Sequence, residues 1–199
     1  MKFCEFIERF DCPGSVVLLE GKRTVAESDR PRLEALGFLL ARRTRHILFR
    51  SGNASGADHW FSRGITGVDP KRLQVITPYA GHRRKDNRAG ETISLDRIDL
   101  ADEPELIAQS RLHAKTSGLI DPYLAGQRNA VTIKAAYILR DTVKVLGTKD
   151  VMPAACALFY DDPQAPRRGG TGHTMAVCER NAVPVLDQRC WFQWLEDGS

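Results

Sequence analysis

The run Asp161-Asp162-Pro163-Gln164-Ala165-Pro166-Arg167-Arg168-Gly169-Gly170-Thr171-Gly172-His173-Thr174 concentrates the residue types that hold anions. It follows an apolar stretch, Cys156 to Tyr160, and opens an amphipathic one, Met175 to Val183. A strand, a glycine turn and a helix in that order bring unpaired N–H groups and the positive end of a helix dipole to one point. Glycine lets the backbone approach the bound group closely, and Arg167 and Arg168 add two full charges beside it. The chemistry implied is phosphate binding. The loop is not a P-loop, because no Lys-Ser or Lys-Thr closes a G-x-x-x-x-G, and it is not the dinucleotide fingerprint, because Met175 stands where the last glycine belongs. A lone stretch of this kind is more often an ordinary strand-to-helix turn, so its company decides the reading.

That company is a second glycine-rich turn, Ser51-Gly52-Asn53-Ala54-Ser55-Gly56-Ala57-Asp58. It too sits between an apolar run, His46 to Arg50, and a segment carrying Trp60, Phe61 and Ile65 at helical spacing. Asp58 has two readings: an acid that complements the dipole of a first helical turn, or a carboxylate for a ribose hydroxyl. Cations follow two other apolar runs. Lys22 and Arg23 come after Val16 to Glu20, and Tyr79, His82, Arg83, Arg84 and Lys85 come after Leu73 to Thr77. His59 and Trp60 read as packing residues, since no nucleophile or metal ligand is spaced to meet the imidazole.

The elements that must position these groups follow from periodicity. Residues 1–12 predict a helix with Phe3, Phe6, Ile7 and Phe10 on one face, and Ser28 or Asp29 caps a second helix that runs to about Arg45. Gln127-Arg128-Asn129 open a helix whose Ile133, Ala136, Tyr137 and Ile138 face inward and which leads to an extended segment at Val143 to Leu146. Residues 86–126 are polar with one helix at Glu103 to Lys115, which makes about 81–126 an insertion over the sheet edge or the site. Pro184 to Leu186 is a last short strand before a packing tail of Trp191, Phe192 and Trp194. Alternating strands and helices predict a Rossmann-like, doubly wound α/β domain over 1–199, with a mainly parallel sheet and helices on both faces. Ligands in such folds bind beyond the C-terminal strand ends, where the glycines, hydroxyls and cations above would converge.

Composition sets the outer limits. A chain of 199 residues, 42% hydrophobic and 27% charged, has enough apolar content for one sizeable core. Its 29 basic against 25 acidic residues allow an anionic ligand without the one-sided charge of a protein that coats nucleic acid. Cys4, Cys12, Cys156, Cys178 and Cys190 form no C-x-x-C pair, so reduced thiols in a cytoplasmic protein are expected, with no metal site. Glu5, Glu8 and Arg9 spoil a signal peptide and no apolar run is long enough to cross a membrane. A homodimer contact in the insertion stays open.

Taken together, the residues resemble the SMF/LOG superfamily, which joins DNA-processing protein A with the lonely-guy phosphoribohydrolases. Ser51 to Asp58 is similar to the family's S/T-G-x-A-x-G-A/I-D turn; Gly169-Gly170-Thr171 with Ala176, then Pro184-Val185, is similar to its G-G-T helix start and terminal strand; Arg128-Asn129 resembles its R-N element. The resemblance covers roughly residues 15–187 and is nearest to the single-domain proteins that are like DNA-processing protein A. It implies a nucleotide or nucleotide-sugar ligand at Ser51, Gly52, Asn53, Ser55, Gly56, Asp58, Arg128, Asn129, Arg168, Gly169, Gly170, Thr171, Gly172, His173 and Thr174, with Lys22, Arg23, Tyr79 and Arg83 in addition. Single-stranded DNA is the alternative partner, and a phosphoribohydrolase-like enzyme the second alternative. That branch carries G-G-x-G-T-x-x-E, whereas here His173 replaces the threonine and Ala176 the catalytic glutamate. Glu179, one turn on, is displaced by about 4.5 Å and some 300° and does not replace it. A binding protein without catalytic residues, metal or tightly held cofactor is therefore expected.

Overall fold

The unbroken apolar run Val16-Val17-Leu18-Leu19 has the character of a strand covered on both faces. In the computed structural model, which describes residues 1–197, it forms β1 (Val16–Gly21), buried throughout and central in a six-stranded sheet. The last two residues of the expected 1–199 unit lie outside the described residues. β2 (Leu48–Ser51), β3 (Leu73–Thr77), β4 (Glu91–Ser94), β5 (Cys156–Tyr160) and β6 (Val185–Asp187) complete it in the order β4-β3-β2-β1-β5-β6. All of these pairings are parallel. The chain winds outward from β1 in one direction and returns to β1's other side with β5, so the fold is the Rossmann-like, doubly wound sheet expected.

Side chains alternate across the sheet, and two sets of helices cover them. Val17, Leu19, Phe49 and Leu158 face α1 (Phe3–Phe10), α2 (Arg30–Arg43), α3 (Ala57–Thr66) and α8 (Gln188–Asp197). Trp191 and Trp194 of α8 are buried there, and their indole N–H groups donate to the carbonyls of Phe159 and Met1 at 3.1 and 3.0 Å. The opposite face carries Leu18, Ile76, Ala157 and Phe159 under α4 (Pro104–Arg111), α5 (Ser117–Leu124), α6 (Ile133–Leu146) and α7 (Gly169–Arg180). Among the described residues no helix is long and apolar enough to cross a membrane.

Three local expectations need correction. Val143 to Leu146 is not extended: it is the last turn of α6, which runs on until Gly147 at φ 69°. The helix expected from Gln127 begins only at Ile133, because Asn129 accepts from the N–H groups of Val131 and Thr132 and holds residues 127–132 in turns. The polar stretch 86–126 contributes the edge strand β4 and two short helices in place of one at Glu103 to Lys115.

Candidate functional site

On the face beneath α6, the strand register sets Arg50 between Leu18 and Gln74, and Gln74 beside Glu91. Arg50 Nε donates to Gln74 Oε1 at 2.7 Å, and Gln74 Nε2 donates to Glu91 Oε2 at 2.6 Å. Arg50 Nη1 also donates to the Lys144 carbonyl at 3.0 Å, which puts a cation against the negative end of α6. Burial lowers this guanidinium to about 10, although Glu91 opposes the effect.

Nearer the C-terminal ends of the strands lies a buried charge cluster. Lys144 is fully enclosed, with Nζ 2.6 Å from Glu20 Oε2 and 2.9 Å from Asp141 Oδ1. Arg140 Nη1 donates to the Gly52 carbonyl at 2.6 Å, and its Nε lies 3.0 Å from Asp141 Oδ1. Both cations are thus within ion-pair distance of Asp141 Oδ1, yet neither that oxygen nor Arg140 Nε makes an aligned hydrogen bond. Charge attraction, not directed bonding, holds that contact. The Thr174 hydroxyl lies 3.1 Å from Glu20 Oε1 and 3.0 Å from the Gly170 carbonyl, which ties α7 to β1.

With Asp58, the cluster has more carboxylates than cations, so one of the acids must hold a proton for the interior to be neutral. Glu20 is that acid: burial raises it to about 7 against the pull of Lys144, and Asp141 and Asp58 raise it further. Burial also acts to raise Asp141, but Arg140 and Lys144 outweigh it and hold this carboxyl below its usual range. Lys144 is raised in turn, since Asp141 and Glu20 outweigh its desolvation.

The Ser51–Asp58 turn rests on this cluster. At Gly52 a Cβ would come within 2.1 Å of Arg140 Nη1, so the close approach of the guanidinium excludes any side chain. Asp58, 1% exposed, accepts from the N–H groups of Gly52 and Ala54 through Oδ2 at 3.0 and 3.2 Å, while its Oδ1 has no partner. The carboxylate therefore braces the turn from inside. Ser51 Oγ accepts from Asn53 N–H at 3.4 Å, and Asn53, at φ 55°, donates from Nδ2 to the Arg83 carbonyl at 3.2 Å. Gly56 takes φ 83°, where a Cβ would lie 2.2 Å from the Arg23 carbonyl, and Ser55 sits half-buried beside it. Ala57 N–H donates to the Lys22 carbonyl at 3.0 Å, so the Lys22–Arg23 exit is fastened to the same turn.

α7 starts at Gly169 after Arg168, which is exposed and contributes no side-chain cap. The N–H groups of Gly169, Gly170 and Thr171 have no partner among the described residues. A Cβ on Gly170 would stand 3.2 Å from Asp141 Oδ2, so the helix start adjoins the Arg140–Asp141 pair that holds Gly52. Thr171 is buried and Gly172 half-buried in the same first turn. His173 faces elsewhere: its Nε2 lies 3.1 Å from Thr142 Oγ1 and its ring meets His113 edge-on at 5.2 Å. Burial lowers His173 to about 4, which makes it a neutral packing group between α6 and α7.

The structure brings Ser51, Gly52, Asp58, Gly170 and Thr174 together around the buried charges, with Asn53 linking the turn to the β3 exit. Tyr79 packs edge-on against His82 there, and Arg83 pairs with Asp86 at 3.0 Å. Arg128 goes to Tyr123, stacking 3.7 Å from the ring centroid and bonding to the Tyr123 and Gln127 carbonyls, while Asn129 caps the turn before α6. Lys22 pairs with Asp162 at 2.6 Å. Lys22, Arg23, Thr24, Tyr160, Asp161 and Asp162 line a groove of about 770 Å³ between the ends of β1 and β5, the switch point of the sheet.

No protein-family model matches the chain, and no curated protein matches it. Among solved structures it is similar to DNA processing protein A from Helicobacter pylori, a structure described for its unique single-stranded DNA binding mode. The TM-score is 0.46 and the identity 12%, over 90% of this chain and 67% of that one.

Glu20, Arg50, Arg140, Asp141 and Lys144 were absent from the expected site. A carboxyl that titrates near neutrality in a cleft has the pKa of a proton-transfer group. Here both Glu20 oxygens already have partners, Lys144 and Thr174, and the side chain is 7% exposed, so its evident work is to join α6 and α7 to the sheet. At the start of α7 the N–H groups of Gly169, Gly170 and Thr171 and the exposed Arg168 guanidinium have no partner among the described residues.

Proposed function

We propose that the chain binds a nucleotide or nucleotide-derived phosphate ester at the C-terminal edge of its sheet, as a binding or sensor protein of the SMF/LOG type. The observation that carries this reading is the start of α7: unpartnered N–H groups at Gly169, Gly170 and Thr171, no side-chain cap, and the exposed Arg168 guanidinium beside them. Such a helix start favours an anion by both its donors and its dipole. The Gly52 turn, one ion pair away, and the switch-point groove give the rest of a nucleotide a place to lie. Ala176 on the same helix has no acid to offer, which supports binding without sugar–base cleavage.

Single-stranded DNA is the second reading, favoured by the cations along the strand exits. Internal pairing works against it: Lys22, Arg83 and Arg167 already face Asp162, Asp86 and Glu179. A calorimetric screen of nucleotides beside a salt titration of oligonucleotide binding separates the two. The small-ligand reading predicts saturable nucleotide binding with a shallow salt dependence. Submicromolar oligonucleotide affinity that falls with a log–log slope of about 0.7 per phosphate contact, and that nucleotide does not compete away, would support DNA instead.

A further inference from the structure

A separate cavity of about 400 Å³ lies beyond the ends of β3 and β4, its wall including Thr77, His82, Arg84, Asn87, Thr92 and Arg97. Arg84 and Arg97 are exposed, and neither guanidinium makes a hydrogen bond or ion pair among the described residues. The nearby acids are already engaged. Asp86 pairs with Arg83 at 3.0 Å, Glu91 accepts from Gln74 at 2.6 Å, and Asp96 accepts from Ala80 N–H and the Ser94 hydroxyl at 2.7 and 3.2 Å. Two like charges therefore share one concave surface whose lining includes no carboxylate, with Asp96 behind Ala80 and Ser94. Thr92 Oγ1 accepts from Asn87 Nδ2 at 2.7 Å, which leaves its own hydroxyl proton free to donate into the cavity.

Two guanidinium groups and a hydroxyl donor on one lining make a polar recess that an oxyanion would complete. We propose that this cavity is a second anion site, taking a phosphate ester between Arg84 and Arg97. It uses no residue of the α7 start and stands without it. β3 and β4 are two and three strands away from β1, so the cavity is on the order of 10–15 Å along the sheet edge from the switch point. A ligand that reached both would carry two phosphates that far apart. The first and third phosphates of a 5′-phosphorylated trinucleotide, or of a longer single strand, offer this spacing, whereas adjacent phosphates of one strand stand too close.

The test is an NMR titration of the full chain with inorganic phosphate, then with a 5′-phosphorylated trinucleotide and an oligodeoxynucleotide. The proteins are wild type, an Arg84→Gln/Arg97→Gln variant and Arg168→Glu. All three substitutions are at exposed positions, and thermal melts check that the fold is kept. We expect saturable shifts at the Thr92 and Ser94 amides with phosphate, weakened about tenfold or more in the double variant and unchanged in Arg168→Glu. Trinucleotide should bind more tightly than phosphate by avidity and lose that gain in the double variant. Displacement of oligonucleotide by trinucleotide assigns a short ligand, and failure to displace assigns a longer nucleic-acid strand; either source keeps the site. Absence of saturable shifts at these amides, or shifts that the double variant leaves intact, overturns the proposal. Loss of the Arg168-dependent shifts alone touches only the α7 reading.

Discussion

Replacing Lys144 with Met removes the one fully enclosed cation that bridges Glu20 at 2.6 Å and Asp141 at 2.9 Å, while keeping a side chain of similar length. Breaking a buried ion pair from one side costs about 3–5 kcal/mol. The cost should depend on pH, because Glu20 titrates at about 7 in the folded protein against 4.5 ordinarily. A raised carboxyl stabilises fully below its unfolded value and loses that contribution as pH rises through its folded value. In the wild type the loss ends near pH 7; without Lys144 the folded Glu20 keeps its proton to higher pH, and the loss continues at about 1.4 kcal/mol per pH unit. The Lys144→Met penalty is thus expected near 3 kcal/mol at pH 6 and about 2 kcal/mol larger at pH 8.5. Urea unfolding at the two pH values measures it, and Glu20→Gln in the same background should remove the pH-dependent part. Equal penalties at both pH values, or a penalty below about 1 kcal/mol, would refute the assignment of the proton to Glu20.

Other perturbations test other parts. Gly52→Ala would place Cβ 2.1 Å from Arg140 Nη1 and break its bond to the Gly52 carbonyl, so a loss of about 1.5–3 kcal/mol is expected in a denaturant titration. Trp191→Ala should cost about 3–5 kcal/mol, since the indole is fully buried and bonded to Phe159; a melting temperature within a few degrees of wild type would contradict its place in the core. His173, lowered to about 4, stabilises fully above its unfolded 6.5 and loses that contribution as pH falls through 6.5 towards 4, whereas Glu20 gains between 7 and 4.5. Removing the Glu20 contribution with Glu20→Gln should therefore make stability fall by roughly 2–3 kcal/mol more than in wild type between pH 6.5 and 4.5, and parallel pH profiles would contradict the opposed signs.

Much of the frame was legible because strand signals here are strong: Leu73–Thr77 and Cys156–Tyr160 are unbroken apolar or β-branched runs that stand as β3 and β5. Val143 to Leu146 misled by the same signal. Alternating Val143, Lys144, Val145 imitates a half-buried strand, but the last turn of α6 is buried all round, lysine included. β4 was hidden because an edge strand of four residues with Glu91 and Thr92 exposed has no apolar run to show. The glycine turns were readable from composition, yet the charges beneath them were not. Glu20 and Arg50 close their apolar runs as if leaving the core, and only the register, which turns them towards Arg140, Asp141 and Lys144, reveals that they stay inside. Arg128 looked like a site residue by motif, and its cation–π contact with Tyr123 takes it to the α5–α6 junction.

Backbone amide shifts report directly whether the open end of α7 holds phosphate. Titrating isotope-labelled protein with ADP or ADP-ribose should produce saturable shifts at the Gly169, Gly170 and Thr171 amides, which have no internal partner. Arg168→Glu should weaken the binding by about tenfold or more without changing the fold. Unshifted Gly169, Gly170 and Thr171 amides at millimolar nucleotide, or shifts that Arg168→Glu leaves untouched, would contradict phosphate binding there.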